Sequence, residues 1–304
     1  MESKNNLKAW LYLAPVLILM AVFTFYPLVS TFVISFLKGY DYTTGTASGI
    51  TFDNYLYVLG LKKMGTAYYT NVIKYAIPNT LIVTFVTVPI SIFLALLIAV
   101  GLNSIKPLRK IFQTIFFVPY VTNSIAVGMV FSVIFAGEGG LWNAIFGLGS
   151  KHWIDMNASR WDAMFALCIF IIWHALPYKI LIFLSGLQNI DKQYYDAAKI
   201  DAASKWTVFS KVTVPLLSPQ ILYVMITSFI GGFKEYSNVV ALIGKPSTGS
   251  EQVKNMYTVV YYIYDMLESP KMVNLASATA VILFVFIMIF TVIQMKVSNK
   301  RVHY

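Results

Sequence analysis

Several aromatic and hydrogen-bonding side chains lie within long apolar stretches of the sequence, where polar groups are rare. They are Tyr120, Asn123, Ser124, Trp173, His174, Tyr178 and Ser228. Aromatic faces combined with a few hydroxyl and amide groups suit the recognition of a small polyhydroxylated ligand in a cavity. Tyr120 and Ser124 are four residues apart, so we expect them to share a helix face. The alternative is that these aromatic residues are ordinary packing or interfacial side chains.

The same stretches carry no residues suited to bond-making chemistry, such as paired carboxylates, a metal-ligating cluster or an activated nucleophile. The single cysteine, Cys168, excludes an intramolecular disulfide and a multi-cysteine metal site. A Walker A motif is absent, because Lys245 is the only lysine that directly follows a glycine and no glycine stands five residues before Gly244. We therefore expect no catalytic residue, no metal site and no cofactor bound by this chain.

The distribution of charge predicts the elements that hold these side chains. The 304 residues are 58% hydrophobic and 12% charged, with a mean hydropathy of +0.69, and a soluble domain carries about twice that charged fraction. Long charge-free runs predict an all-α membrane protein with six transmembrane helices. The six are placed at about residues 9–37, 75–105, 111–137, 163–187, 217–240 and 275–295. The first run is too long for a cleaved secretory signal.

Six helices place both termini on one side of the membrane. The segments on that side, 1–8, 102–110, 188–216 and 296–304, hold twelve basic and four acidic residues, whereas the opposite side is nearly neutral. Since lysine and arginine accumulate on the cytoplasmic side, we expect both termini to be cytoplasmic. The net charge of +10 follows from this distribution, and nucleic-acid binding, which needs one basic solvated face, is not predicted.

The predicted organisation has three parts. Residues 1–74 form an N-terminal tail, the first helix and an external loop; 75–297 form a core of five helices; 298–304 form a cytoplasmic tail. The core includes the polar loop 188–216 between the fourth and fifth helices. Its DAAKIDAA stretch, 196–203, favours helix, and Pro215 and Pro219 are expected to stop the helical stretch. The loop is either a solvated connector or a docking surface.

The order of residues in this loop resembles the EAA loop of binding-protein-dependent ABC importer permeases. Asp-Ala-Ala occurs at 196–198 and again at 201–203, and Val-Thr-Val-Pro follows at 212–215. Asp196 stands where the family has Glu. Ala202 stands where it has Gly, which suggests a turn without a positive φ. Further motifs resemble the carbohydrate-uptake permeases of the maltose-transporter type over essentially the whole chain: LAP at 13–15, FYP at 25–27, FDNY at 52–55, VPY at 118–120 and WHALPY at 173–178.

The resemblance implies a type I ABC importer permease in a bacterial inner membrane. Its partners would be a second homologous permease subunit, two ATPase subunits that use ATP and magnesium, and an extracytoplasmic solute-binding protein. The residues implied in ATPase coupling are Tyr195, Asp196, Ala197, Ala198, Asp201, Ala202 and Ala203. Those implied in sugar contact are Tyr120, Ser124, Trp173, Ala175, Tyr178 and Ser228, with Gly232 standing where the family has Asn.

An oligosaccharide is the expected substrate, with glycerol phosphate or another polyol as the alternative. A phosphorylated ligand needs Arg or Lys in the cavity, and Lys179 is the only such residue on the predicted helices clear of their ends. Lys234 and Glu235 are expected at an outer helix end, as gate or binding-protein contacts or as solvated interfacial residues. An ion-coupled secondary transporter is disfavoured because Glu235 is the only carboxylate available for coupling, and a membrane-embedded enzyme is disfavoured further.

Overall fold

The computed structural model of the chain describes residues 6–62, 72–105, 109–244 and 251–298, and this part is almost entirely helical. The helices are α1 (Asn6–Met20), α2 (Tyr26–Ser35), α3 (Asp53–Val58), α4 (Ile77–Ser104), α5 (Arg109–Val121), α6 (Ser124–Ile134), α7 (Leu141–Phe146), α8 (Arg160–Asn189), α9 (Lys192–Ile200), α10 (Lys205–Val208), α11 (Val214–Leu216), α12 (Ser218–Phe233), α13 (Ser237–Ile243), α14 (Glu251–Met256), α15 (Val259–Leu267) and α16 (Val273–Ser298). Two short antiparallel strands, β1 (Leu37–Lys38) and β2 (Gly49–Ile50), pair between α2 and α3. The predicted tail beyond residue 298 and the basic residues Lys4 and Lys106 lie outside the described part.

Four helical stretches are long and apolar enough to cross a membrane. They are Lys8–Ser35, Val72–Ser104, Arg160–Asn189 and Pro270–Ser298, and they correspond to the first, second, fourth and sixth predicted helices. A fifth candidate is a broken pair, in which Lys205–Leu216 and Ser218–Phe233 meet at an angle of 68°. The described part of the chain is therefore a multi-pass helical protein with four or five such spans, counted by length and composition.

The third predicted helix, 111–137, is interrupted in the structure. α5 ends at Val121, and Asn123 caps α6 by accepting a hydrogen bond from the backbone N–H of Ile125 at 2.8 Å. Asparagine is among the best N-cap residues because its side chain replaces a missing backbone acceptor. The expectation that Tyr120 and Ser124 share one helix face is therefore wrong, since the break lies between them.

Three prolines are accommodated by a widened helical turn. The π-helical turns Ala21–Phe25, Val72–Ala76 and Phe209–Thr213 each end two residues before a proline, namely Pro27, Pro78 and Pro215. A proline has no N–H and its ring collides with the carbonyl four residues earlier, so a π-turn relieves the conflict without ending the helix. Pro215 itself lies inside the helical stretch, which ends one residue later, at Leu216, before the next span as predicted.

The break before the fifth predicted span comes at Leu217, directly before α12 and two residues ahead of Pro219. The far end of that span is also shorter than 217–240. α12 ends at Phe233, soon after Gly231 and Gly232, and α13 is a separate helix. Paired glycines weaken a helix at this point because they lose more conformational freedom on folding than other residues.

The chain forms two compact units. The first comprises Met1–Ile73 and Tyr262–Val285. A buried polar side chain in this unit is Asn54, from the FDNY motif, which is 3% exposed. Its amide donates to the carbonyls of Ser35 at 2.8 Å and Leu37 at 2.9 Å, and its oxygen accepts from Asn274 Nδ2 at 2.9 Å. A buried amide satisfied in this way fixes the connection between α2, α3 and the start of α16.

The second unit comprises Lys74–Tyr261 and Phe286–Tyr304, and its core is formed where α4 packs along α8. Ala95 and Ala99 of α4 are fully buried against Ile180, Phe183 and Leu184 of α8. Small side chains on one helix let the larger side chains of the other approach closely, which is how helices associate where lipid removes the hydrophobic driving force. This packing fixes the middle of α8, where WHALPY lies.

Candidate functional site

A cavity of about 470 Å³ lies within the second unit, between α4, α8 and α12, with Tyr120 of α5 at its wall. Its lining is mixed: hydroxyl, amide and aromatic groups alternate with small and aliphatic side chains. The lining residues are Thr87, Val88, Ser91, Tyr120, Ile171, His174, Ala175, Tyr178, Lys179, Thr227, Ser228, Gly231, Gly232, Glu235 and Asn238. A volume of this size is within the range of pockets that hold small molecules.

The cavity brings together five of the eight predicted sugar-contact residues: Tyr120, Ala175, Tyr178, Ser228 and Gly232. They come from three helices, α5, α8 and α12. Ala175 and Gly232 contribute space through their small side chains, whereas the tyrosines and Ser228 contribute hydrogen-bonding groups. The structure thus groups residues that are more than a hundred positions apart in sequence.

The two tyrosines form the most defined feature of the cavity wall. The rings of Tyr120 and Tyr178 stack with centroids 5.7 Å apart and planes inclined by 20°. The hydroxyl of Tyr178 lies 3.2 Å from that of Tyr223, within hydrogen-bonding distance. Offset stacking stabilises such a pair beyond simple burial. The pair presents a flat apolar surface with hydroxyl groups at its edge, a combination suited to a sugar ring.

The other three predicted contact residues do not line this cavity. Trp173 packs on Phe131 of α6, with ring centroids 5.1 Å apart, and is 38% exposed. Asn123 caps α6, and Ser124 is the first residue of that helix. His174 lines the cavity and packs on Phe170, with ring centroids 5.8 Å apart, as expected of a packed histidine.

The wall from α4 carries a polar stripe that sequence reasoning missed. Thr80, Thr84, Thr87 and Ser91 are all at most 3% exposed, and the last two line the cavity. Their spacing of four, three and four residues places them on one helix face. This stripe can be recognised in the sequence as four small hydroxyl residues on one helix face within a charge-free run. Polar groups inside a membrane helix face a cavity or a partner, so such a stripe indicates a cavity wall or an interface.

Two charged residues also line the cavity, and one differs from expectation. Lys179 is 5% exposed and donates from Nζ to Ser91 Oγ at 2.5 Å. Glu235 is 9% exposed, which contradicts the alternative of a solvated interfacial residue, whereas its role as a gate or binding-protein contact stays a prediction. Its carboxylate accepts from the backbone N–H and the side-chain amide of Asn238 at 3.0 and 2.8 Å. Glu235 lies in the three-residue gap between α12 and α13, where its side chain lines the cavity.

The second candidate site is the polar loop, which forms a helical hairpin. α9 begins after Asp191, whose carboxylate caps it, and ends at Ile200. The second Asp-Ala-Ala is therefore not helical. The N–H of Ala203 donates to the carbonyl of Ala198 at 2.9 Å and that of Ala202 to Lys199 at 3.0 Å. This pair of bonds is a Schellman motif, which requires a left-handed residue after the helix.

Ala202 is that residue, with a φ of +51°. The inference that its replacement of glycine signals a turn without positive φ is wrong, because the turn keeps the left-handed geometry and alanine bears the strain. Its Cβ is disfavoured there by about 1–2 kcal/mol.

We therefore expect Ala202→Gly to stabilise the hairpin by about 1 kcal/mol. The matched control is Ala197→Gly, within α9, which should destabilise it by a similar amount because glycine is a poor helix former. Chemical denaturation or hydrogen exchange of amides in residues 192–208 would measure both changes. Two changes of the same sign would contradict the strain argument.

The exposed face of the hairpin combines charge with apolar side chains. Asp196 accepts a hydrogen bond from Lys199 Nζ at 2.7 Å, which holds the pKa of that carboxyl below its ordinary value. Ala198 is buried, and Tyr195 places its hydroxyl 3.3 Å from Thr213 Oγ1. Of the remaining residues implied in coupling, Ala197, Asp201 and Ala202 are exposed and Ala203 is half-buried.

Two large apolar residues on this face were not singled out from the sequence. Ile200 is 86% exposed and Trp206 is 71% exposed. Exposed apolar groups in a polar segment are typical of contact surfaces. The sequence feature that indicates their exposure is their position, because each is flanked by charged or small residues in an otherwise hydrophilic stretch.

Comparison with known proteins places this architecture. Residues 91–304 match the family described as binding-protein-dependent transport system inner membrane component. The arabinooligosaccharides transport system permease protein AraP of Bacillus subtilis (strain 168) is 31% identical over 296 residues, which covers 96% of this chain and 88% of that protein. The lactose transport system permease protein LacF of Rhizobium radiobacter is 29% identical and covers 98% of each chain.

A solved structure shares the fold. A chain in the crystal structure of a bacterial ABC transporter involved in the import of the acidic polysaccharide alginate superposes with a TM-score of 0.80, at 18% identity, over 98% of this chain and 96% of that one. The chain thus has the fold of a type I ABC permease. This multi-pass chain belongs to the family of binding-protein-dependent transport system inner membrane components.

Proposed function

We propose that this chain is a transmembrane subunit of an ATP-driven importer that takes up an oligosaccharide delivered by an extracytoplasmic binding protein. The observation that carries the substrate class is the cavity with the stacked Tyr120 and Tyr178 rings, edged by the hydroxyls of Ser228, Ser91 and Thr87. Stacking on a flat ring and several hydroxyl partners match a sugar. The likeness to permeases named for arabino-oligosaccharides and lactose supports the same class.

In this proposal the chain crosses the membrane six times with both termini in the cytoplasm. The third span consists of α5 and α6, and the fifth of the bent pair that meets at Leu217. A second homologous permease completes the pathway. Two ATPase subunits supply the energy, since this sequence has no Walker A motif.

The ATPase subunits dock on the hairpin formed by α9 and α10. Ile200 and Trp206 provide apolar area, and Asp196 and Asp201 provide charge beside it. Interfaces of this kind combine an apolar centre with a polar rim. Closure of the ATPase dimer then moves the hairpin, and the bend at Leu217 carries the movement into α12, which lines the cavity.

Replacing Tyr178 with Ala is expected to lower sugar uptake about ten-fold or more, because it removes one face of the stacked pair. The measurement is ATP-dependent uptake of radiolabelled oligosaccharides by the complete complex in proteoliposomes. Tyr178→Phe keeps the ring and should retain most of the activity. This variant therefore distinguishes the contribution of ring stacking to uptake from that of the hydrogen bond between Tyr178 and Tyr223.

Trp173→Ala is the matched aromatic control, because Trp173 lies on the same helix but does not line the cavity. We expect a smaller loss of uptake than for Tyr178→Ala. Equal losses in both variants would count against this cavity as the sugar site, and uptake that needs no ATPase subunit would overturn the proposed function.

A further inference from the structure

Lys179 places a buried ammonium group in the wall of the cavity. It is 5% exposed, and among the described residues its ammonium group donates one hydrogen bond, to the hydroxyl of Ser91 2.5 Å from Nζ. An ammonium group has three N–H donors. None of the ion pairs within the described residues involves Lys179. A buried charge without a counterion is costly, and such a residue is retained where it meets a charged partner or ligand.

Ser91 holds the ammonium in place from the opposite helix. Its hydroxyl is 2.5 Å from the carbonyl of Thr87, to which it donates, so a lone pair is left to accept from Lys179. The chain from Thr87 to Lys179 thus fixes the direction of the lysine side chain across the α4–α8 packing. Both Ser91 and Lys179 line the cavity.

The carboxylate of Glu235 does not neutralise Lys179 within this chain. Gly232, three residues before Glu235, packs against Thr84 of α4, whereas Lys179 contacts Ser91, seven residues further along α4. Seven residues of helix span about 10 Å. Because α4 and α12 run antiparallel, Glu235 lies further still from Ser91. Both carboxylate oxygens of Glu235 already accept hydrogen bonds from Asn238.

We propose that Lys179, positioned by Ser91, binds a carboxylate of the substrate, so that the transported oligosaccharide contains uronic acid residues. This inference rests on the proposed function and specifies its substrate class. A single ammonium matches a singly charged carboxylate, whereas a phosphate dianion is usually held by several cationic or backbone donors. The neighbouring Tyr178 provides the stacking face for the ring that bears the carboxylate.

The test compares uronate-containing di- to tetrasaccharides with their methyl esters, which keep the size and remove the charge. Uptake is measured with the complete complex in proteoliposomes. Lys179→Met should reduce uronate uptake about 10- to 100-fold, the loss expected for a hydrogen bond to a charged group. It should reduce uptake of the esters far less, so that the ratio of uronate uptake to ester uptake falls. Lys179→Arg keeps the charge and should retain uronate uptake to within a few-fold.

Ser91→Ala provides a second variant that leaves the ammonium in place. It should raise KM for the uronates several-fold with a smaller change in kcat, because it removes the hydrogen bond that positions the ammonium group. Copurification of the partner subunits reports assembly in every variant. If Lys179→Met fails to assemble, the side chain is required for folding, and Ser91→Ala then decides: an unchanged KM for the uronates would overturn the inference.

The remaining outcomes separate the two proposals. Uptake of neutral oligosaccharides alone, or uronate uptake by Lys179→Met at the wild-type rate, overturns the role of Lys179 and leaves the proposed function standing. If the wild-type complex takes up neither kind of oligosaccharide, the proposed function fails and this inference fails with it.

Discussion

Replacing Ile200 with Lys is expected to reduce ATPase-coupled transport about 30-fold or more, the effect of losing an interface residue worth some 2 kcal/mol. Ile200 is the most exposed large apolar residue of the hairpin, at 86%. In the proposed complex Ile200 is covered by an ATPase subunit. The ammonium group of a lysine at this position would therefore be desolvated without a carboxylate to pair with. The result is measured as copurification of the ATPase subunits and as their ATP hydrolysis rate in the complex.

Lysine is chosen because it spares the hairpin itself. Ile200 is the last residue of α9, and cationic side chains are favourable at helix C-termini. The matched control is Ile50→Lys in β2, where the isoleucine is 85% exposed. The same substitution at nearly the same exposure should leave ATPase binding unchanged. Equal effects at both positions, or wild-type ATPase binding by Ile200→Lys, would show that the hairpin is a connector.

The long helices could be predicted from the sequence because lipid imposes a simple requirement. A segment that crosses hydrocarbon must satisfy its own backbone, so a charge-free run of sufficient length forms a helix. The predicted boundaries at 75–105, 163–187 and 275–295 agree with Val72–Ser104, Arg160–Asn189 and Pro270–Ser298 to within a few residues.

The breaks in the third and fifth predicted helices could not be seen in hydropathy. They depend on single local features, namely the Asn123 cap and the Gly231-Gly232 pair, which hardly change the average over a long window. An asparagine within an apolar run can cap a new helix, so it indicates a possible break in the predicted helix. The break between α12 and α13 places Glu235 at the cavity, which is why the burial of this residue was not predicted.

The cavity was predicted in part. Tyr120, Tyr178 and Ser228 line it, but the wall from α4 was missed, because small hydroxyl side chains hardly lower the hydropathy of a long apolar run. Thr84, Thr87 and Ser91 follow the spacing of one helix face. At Ala202 the residue type predicted a turn without a positive φ, but the structure has a left-handed turn there. The two hydrogen bonds that end the helix stabilise this turn by more than the alanine disfavours it.

Replacing Gly128 with Leu is expected to destabilise the chain by about 3 kcal/mol or more, a large effect for a single residue. Gly128 lies on α6 where it packs against α13. A Cβ at this position would be 2.3 Å from the carbonyl oxygen of Ala241 and 2.4 Å from its carbon. These are backbone atoms, so the collision is relieved only by separating the two helices.

That separation would also disturb the cavity, because α13 carries Asn238, which lines the cavity and holds Glu235. We therefore expect Gly128→Leu to lower both sugar uptake and the melting temperature in detergent. The melting temperature is followed by size-exclusion chromatography of heated samples.

Gly101→Leu on α4 is the matched control, since a Cβ there meets no atom within 4 Å and leucine is the better helix former by roughly 1 kcal/mol. The two substitutions should therefore shift stability in opposite directions. An unchanged melting temperature for Gly128→Leu would mean that α6 and α13 do not pack closely, and that the wall of the cavity at Asn238 is held by some other contact.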